Sequence, residues 1–108
     1  MAGRLVRGDI HMRRFPLPDK ERPVLLLTRD SALAYLATVA VAPITSTIRG
    51  TSAEVLLDVE DGMKGPCVAN LHNVTIVSQN QLGPRLARLS DERMKEICAA
   101  LRFSLGCD

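Results

Sequence analysis

The chain has few aromatic side chains, and this scarcity limits both its core and its modes of ligand binding. Tryptophan is absent, and Phe15, Tyr35 and Phe103 are its only aromatic residues. Apolar residues make up 46% of the 108-residue sequence, so the core must consist mainly of Leu, Val, Ile and Ala. With so few rings, successive bases of a nucleic acid cannot each stack on an aromatic side chain. A chain of this length predicts one domain, covering residues 1–108.

The cysteines are also few, and their pattern excludes two kinds of site. Cys67, Cys98 and Cys107 are odd in number and lack CxxC spacing, which argues against a disulfide framework and a zinc site. We therefore expect reduced thiols, no metal or other cofactor, and Cys98 as a small core residue. No apolar run reaches the roughly 18 residues that span a membrane, and no signal peptide is recognisable. These features predict a cytoplasmic protein without membrane contact.

The net charge of +2 is too small to indicate nucleic-acid binding, but its distribution is uneven. Residues 1–49 carry eight basic and four acidic side chains, whereas residues 50–84 carry one and four. Eleven of the 14 basic residues are arginine, the side chain best suited to bidentate phosphate contacts. A codon preference of a GC-rich genome is the alternative explanation for this arginine excess.

The pattern of apolar residues predicts six or seven short strands followed by one helix, as in a small barrel or sandwich. A short helical segment at 29–36, capped by Asp30 or Ser31, and a helical turn at 79–84 interrupt the strands. The Pro-x-Pro sequence makes residues 15–20 a loop, and residues 60–65 form a turn. We expect strands within residues 4–15 (interrupted at 7–9), 23–28, 37–44, 52–59, 66–77 (broken near 72–73) and 85–89.

The C-terminal helix has clear signals at both ends. Ser90 is suited to cap its start, acidic residues follow in the first turn, and Gly106 lies where a C-terminal cap belongs. Between these ends, apolar residues recur at helical spacing and predict one buried face. That face comprises Met94, Ile97, Cys98, Leu101 and Leu105.

Polar residues at the ends of two apolar strands are the best candidates for chemistry. Arg22 opens one strand, and Thr45, Ser46 and Thr47 close the next. If these strands are antiparallel neighbours, a guanidinium lies beside three hydroxyls, which suits the binding and polarisation of a phosphate. Arg49 follows closely and can add a phosphate contact. Each residue also has an ordinary structural explanation, as a strand-opening arginine, a strand end that satisfies its own backbone, or a turn arginine.

A histidine at a strand break is a further candidate. His72 and Asn73 lie where the 66–77 segment breaks, and histidine is the usual general base near neutral pH. A partly exposed structural role is the alternative for His72, and a structural role is our expectation for His11. No nucleophile triad, phosphate-binding glycine loop or metal-ligand set is recognisable.

Taken together, these segments resemble the MazF/PemK (Kid) family of bacterial toxin endoribonucleases. The specific part is the order and separation of ERPVLLLTRD at 21–30 and PITSTIRG at 43–50. Arg7-Gly8-Asp9, Asp61-Gly62-Met63, Leu89-Ser90 and the Leu-Gly at 105–106 support the resemblance.

The resemblance implies an SH3-like small β-barrel with a C-terminal helix, assembled as a homodimer. It implies metal-independent, sequence-specific cleavage of single-stranded RNA by its own 2′-OH, which leaves a 2′,3′-cyclic phosphate and a 5′-OH. Arg22 and Thr45 would be catalytic, with the general base open. Substrate contacts would come from Lys20, Ser46, Thr47, Arg49, His72 and Asn73. The expected partners are RNA and a MazE-like antitoxin whose C-terminal segment folds onto the toxin.

Two departures from the family pattern affect the expected target. His72-Asn73-Val74-Thr75 replaces an acidic residue, Gln, Ile and Arg, so the RNA sequence preference is expected to differ. The loop at 16–21 is short and proline-rich, which would open the groove to folded RNA such as tRNA or rRNA besides mRNA. The alternative functions are a gyrase-directed toxin like CcdB, whose aromatic-acidic tail is not matched here, and a non-catalytic RNA-binding barrel.

Overall fold

The computed structural model describes residues 5–14 and 21–107, and within them seven strands form one antiparallel sheet. The mainly β class with a C-terminal helix is confirmed. The predicted loop at 15–20 lies outside the described residues. The strands are β1 (Asp9–Arg13), β2 (Arg22–Leu26), β3 (Thr38–Thr45), β4 (Glu54–Leu57), β5 (Cys67–Asn70), β6 (Thr75–Ser78) and β7 (Leu82–Arg88). The helices are α1 (Asp30–Leu33) and α2 (Asp91–Leu105), with 3₁₀ helices at Val59–Asp61, Leu71–Asn73 and Gln79–Gln81.

β3 is the central strand of the sheet. The strand order is β4-β5-β3-β2-β1-β7, and β6 also pairs with β3. Because β3 has eight residues, it can pair with β6 along its first half and with β5 at Ile44 and Thr45. Its last residues therefore lie between the start of β2 and β5.

The apolar run of β2 is continuous because both of its faces are buried. Leu25 and Leu27 pack in the core that also contains Met94 and Ile97 of α2. The intervening Val24 and Leu26 belong to a second cluster on the other side of the strand, with members from α1, β3 and β6. A strand with one solvated face alternates polar and apolar residues, whereas a strand with two buried faces is apolar throughout.

The Arg7-Gly8-Asp9 sequence anchors the start of β1. Gly8 has φ of 95°, a conformation that glycine adopts without strain, and the strand begins directly after it at Asp9. The buried Asp9 carboxylate accepts a 2.6 Å hydrogen bond from Nε of Arg88, which raises the pKa of that guanidinium. Arg7 donates to Sγ of Cys98 at 3.2 Å. Cys98, which we expected as a small core residue, is therefore half-buried and hydrogen-bonded to Arg7.

The short helix α1 is not capped as predicted. Its N-cap residue is Arg29, with no side-chain cap hydrogen bond, so neither Asp30 nor Ser31 has that role. The Asp30 carboxylate instead accepts from the backbone N–H of Arg7 at 2.7 Å. The Asp30 carboxylate therefore makes a tertiary contact with the Arg7 backbone instead of capping α1.

The last strand starts earlier than the predicted segment 85–89. The 3₁₀ helix ends at Gln81, and β7 passes through Gly83 and Pro84 without a break. Its pairing with β1 shifts between Arg85 and Leu82. Such an irregularity admits a proline, which cannot donate to a regular ladder.

The predicted C-terminal helix is confirmed at both ends. The Ser90 hydroxyl accepts from the N–H of Arg93 at 3.2 Å, and Gly106 has φ of 70°. Met94, Ile97 and Ala100 are buried. Leu105 is 64% exposed, so the buried face stops before the last turn.

Candidate active site

The strand pairing brings Arg22 and Thr45 together. β2 and β3 are antiparallel, with Val24 opposite Pro43 and Leu25 opposite Ala42. The pairing ends at Val24 and Pro43, and extending the same register by two residues along each strand points Arg22 toward Thr45. A guanidinium and a hydroxyl thus share one edge of the sheet.

A groove of about 810 Å³ opens at this edge. Arg22, Thr45 and Ser46 all line it, so the structure groups three of the predicted site residues in one concave surface. The volume is in the range of small-ligand sites. The other lining residues are Met12, Glu21, Pro23, Ile44, residues 62–67 and Leu86.

The Arg22 guanidinium and the Thr45 hydroxyl, which line the groove, remain available to a ligand. Among the described residues, no hydrogen bond or ion pair engages the exposed Arg22 guanidinium. The Thr45 hydroxyl accepts a 3.1 Å hydrogen bond from the N–H of Thr47. That contact uses a lone pair and orients the hydroxyl, while its O–H can still donate to a phosphate oxygen.

The loop after β3 carries Thr47 and Arg49 away from the residues that line the groove. The Glu54 carboxylate holds this loop, accepting from the backbone N–H groups of Arg49 at 3.1 Å, Gly50 at 2.8 Å and Thr51 at 3.4 Å. The side chains of Thr47 and Arg49 are exposed. In this arrangement they can reach only a ligand that extends beyond the groove.

Residues 62–67 add a part of the groove that our sequence reasoning missed. Lys64 supplies a second cation, and its exposed side chain lies between two glycines that permit close backbone approach. The preceding turn is fixed by reciprocal bonds in which Asp58 and Asp61 each accept from the other end of the 3₁₀ helix. The only sequence signal that could have indicated this part of the groove is a lysine in a glycine-flanked turn before a strand.

An ion-pair network holds this turn on α2. Nε of Arg93 donates to Asp61 at 2.9 Å, and its other nitrogens contact Glu60 and Glu96. Partial burial acts to raise the pKa of Asp61, but the hydrogen bonds from Arg93 and from the Asp58 N–H, with the Arg93 charge, hold it below its ordinary value. The same contacts raise the pKa of Arg93. The turn is therefore pinned by charges that persist at neutral pH.

Cys67 contributes a thiol to the groove lining. It is 9% exposed at the start of β5. Burial, with smaller effects from the Asp58 and Asp61 carboxylates, raises the pKa of this thiol. A protonated thiol is a weak nucleophile, so Cys67 serves here as an apolar wall.

His72 and Asn73 are not among the groove-lining residues. They lie in the 3₁₀ helix between β5 and β6, where the His72 ring is 6.3 Å from the Phe103 ring of α2. Both side chains are exposed. Any contact of theirs with substrate is therefore at a distance from Arg22 and Thr45. Lys20, also predicted to bind substrate, lies outside the described residues.

His11 has structural contacts. Its ring is 7% exposed on β1, and Nδ1 is 2.9 Å from the carbonyl oxygen of Gly83. Because a carbonyl only accepts, Nδ1 carries the hydrogen. His11 thereby ties β1 to the irregular part of β7.

Two other features, a metal-binding cluster and a membrane-spanning helix, are absent from residues 5–14 and 21–107. No group of three or more His, Cys, Asp or Glu in this part of the chain is placed to hold a metal ion. No helix there is both long and apolar enough to cross a membrane.

Comparison with known proteins gives matches over almost the whole chain. Probable endoribonuclease MazF5 of Mycobacterium tuberculosis is 44% identical over 87 residues, covering 80% of this chain and 80% of that protein. The solved Mycobacterium tuberculosis toxin MazF-mt6 aligns with a TM-score of 0.85 at 33% identity, covering 93% of this chain and 98% of that one. An endoribonuclease from a mycobacterial species, in complex with its cognate antitoxin, shares the fold at a TM-score of 0.86 and 23% identity over 96% of this chain and 97% of that one.

The barrel-like fold that the sequence predicted is thus the fold of these toxins. The family described as PemK-like, MazF-like toxin of type II toxin-antitoxin system matches residues 6–105. The chain belongs to this PemK-like, MazF-like toxin family.

Proposed function

We propose that this toxin is an endoribonuclease that cleaves single-stranded RNA at a short sequence, without a metal ion. The observation that carries the proposal is the grouping of Arg22 with Thr45 in one open groove. MazF5 of Mycobacterium tuberculosis, 44% identical, is named as a probable endoribonuclease, which supports the same activity here. Cleavage of mRNA in the cytoplasm would inhibit translation and thereby stop growth.

The proposed reaction is an attack by the RNA's own 2′-OH on the adjacent phosphorus. The products are a 2′,3′-cyclic phosphate and a 5′-OH, and DNA is not a substrate because it lacks the nucleophile. Negative charge grows on the phosphate oxygens as the 2′-oxygen bonds to phosphorus. A metal is unnecessary where fixed protein donors stabilise that charge.

Arg22 and Thr45 have distinct roles in this reaction. The Arg22 guanidinium stabilises the growing charge, and the Thr45 O–H donates to a non-bridging oxygen. Each contact is strongest in the transition state and is worth about 2–4 kcal/mol by analogy with oxyanion donors. Ser46 and Lys64 contact neighbouring phosphates. Because RNA contacts are largely ionic, affinity falls as salt concentration rises.

The groove also suits the C-terminal segment of an antitoxin. Its lining combines the cations Arg22 and Lys64 with the apolar side chains of Met63 and Leu86. An extended peptide with acidic and apolar residues complements such a surface. Competition with RNA for one groove would explain inhibition. A solved endoribonuclease of the same fold is described in complex with its cognate antitoxin.

We also propose that the toxin acts as a homodimer. Leu56 and Phe103 are 59% and 48% exposed and line one shared surface, which a second copy could cover. Light scattering after size-exclusion chromatography should give twice the 11.8 kDa chain mass.

The activity can be tested by mapping new RNA ends. Purified protein is incubated with total RNA in EDTA, alongside Arg22→Ala and, as a matched control, the exposed Arg29→Ala. We expect 5′-OH ends at one shared motif with wild type and Arg29→Ala, and a loss of about 100- to 1,000-fold with Arg22→Ala. Folded wild-type protein without cleavage would instead favour a binding or gyrase-directed toxin. Matched unstructured oligonucleotides and folded tRNA would show whether the groove accepts structured RNA.

A further inference from the structure

The groove holds the phosphate-binding groups, but the proposed reaction also needs an acceptor for the 2′-OH proton. His72, the first candidate for this role, is not among the lining residues. Cys67 does line the groove, but its raised pKa keeps the thiol protonated. Among the described lining residues, Glu21 is the only carboxylate.

Glu21 directly precedes β2, whose first residue, Arg22, is paired with β1. Arg13 of β1 lies opposite Arg22, so one further step along the register places Arg14 opposite Glu21. Nε of Arg14 is 3.8 Å from the Glu21 carboxylate. The Arg14 backbone is itself held by a 2.9 Å hydrogen bond to the carbonyl oxygen of Gln81. A cross-strand cation thus lies within ion-pair distance of the Glu21 carboxylate.

Three cations lie near the Glu21 carboxylate. Arg14 contacts it, Arg22 is the next residue, and Lys64 lines the same groove. These three cations offset the repulsion between a carboxylate and RNA. The side chain is about half exposed, so a bound ribose can reach it.

We propose that Glu21 is the general base for the 2′-OH, a role that rests on the function proposed above. The Glu21 carboxylate takes the 2′-OH proton while the 2′-oxygen forms its bond to phosphorus. The bond from phosphorus to the 5′-oxygen breaks, and the leaving oxygen keeps the electron pair and takes a proton from water. Arg22 and Thr45 stabilise the charge on the other phosphate oxygens throughout.

The test uses an RNA oligonucleotide that contains the mapped cleavage motif. We compare wild type, Glu21→Gln, Glu21→Ala and the control Glu92→Gln, an exposed carboxylate in the first turn of α2 outside the groove lining. Removal of a general base should lower kcat by about 100- to 10,000-fold. Binding to the same oligonucleotide with a 2′-deoxy nucleotide at the cleavage site should be unchanged or tighter in Glu21→Gln, because a negative charge is lost.

Chemical rescue distinguishes a proton acceptor from a structural carboxylate. Formate or acetate should restore part of the activity of Glu21→Ala in proportion to its concentration, and should not raise the residual activity of Arg22→Ala. The proposal fails if Glu21→Gln keeps wild-type kcat, if only KM changes, or if small carboxylates give no rescue. In each of these cases wild-type cleavage persists, whereas failure of the proposed function itself would appear as wild-type protein without cleavage.

Discussion

Loss of Arg93 should remove a structural support of the groove without removing a residue that contacts RNA. Its guanidinium joins α2 to the turn that leads into residues 62–67. Nε and Nη2 bind the two Asp61 oxygens at 2.9 and 3.2 Å, and Nη1 binds Glu96 at 3.0 Å. Arg93→Met removes these bonds but keeps most of the aliphatic stem.

The expected cost follows from the exposure of each partner. The Asp61 side chain is 8% exposed, so its two charge-assisted hydrogen bonds with Arg93 are weakly screened by solvent. Together they contribute about 1.5–3 kcal/mol to the free energy of unfolding. Glu60 and Glu96 are 75% and 50% exposed and add little. The total is about 2–3 kcal/mol, which for a domain of this size lowers Tm by roughly 8–12 °C.

The pairing should also depend on pH in a defined direction. The pKa of Asp61 in the folded protein lies below its ordinary value of 3.8, so ionised Asp61 stabilises the fold. This stabilisation is fully present above the unfolded pKa and is lost as pH falls through the lower, folded pKa. The free-energy difference between wild type and Asp61→Asn should therefore be constant from about pH 5 to 8 and shrink below about pH 4.

Thermal and urea denaturation of wild type, Arg93→Met, Asp61→Asn and the double variant would measure this coupling. Arg102→Met, an exposed arginine on the same helix, is the matched control and should keep the wild-type Tm. We expect the double variant to be little worse than Arg93→Met. An unchanged Tm in Arg93→Met, or fully additive losses in the double variant, would refute the argument that this pair pins the turn.

Three further predictions concern the groove. Thr45→Val keeps the β-branched shape but should lower kcat about 100- to 1,000-fold with little change in Tm, as cleavage and melting assays would show. Gly62→Ala should destabilise the fold by at least about 1–2 kcal/mol in urea denaturation, since φ is 90° and the new Cβ would lie 2.8 Å from that of Ala87. Lys64→Ala should reduce the slope of log affinity against log salt by about 0.7 for single-stranded RNA, whereas Lys95→Ala on α2 should not.

The elements that the sequence predicted well are those with strong local signals. The start and end of α2 follow from Ser90 and Gly106, and the break at residues 72–73 follows from polar residues inside an apolar run. The predicted start of β7 was wrong. Gly83 and Pro84 indicate a break in the strand, but the pairing with β1 is irregular there and tolerates both residues. Local propensity cannot foresee that a neighbouring strand will accept a proline.

The residues of the candidate site also fall into those that the sequence predicted and those that it missed. Arg22 and Thr45 were found because each marks a strand end, and antiparallel pairing brings such ends together. Lys64 and Glu21 were missed because their place in the groove depends on how distant segments pack, which no local pattern encodes. His72 had a suggestive residue type, but its position against Phe103 is set by the packing of α2.

The arginines of this chain differ in what their guanidinium groups already bind, and this difference decides which of them can act on RNA. Arg7, Arg88 and Arg93 bind Cys98 or carboxylates within the fold. Arg22, in contrast, has no such bond among the described residues and lies in the groove. An arginine-rich composition is therefore not by itself a sign of RNA binding, because part of it is structural. Loss of a structural arginine should lower stability and activity together, whereas loss of Arg22 should lower activity alone, so melting and cleavage measured on the same variants separate structural arginines from those that act on RNA.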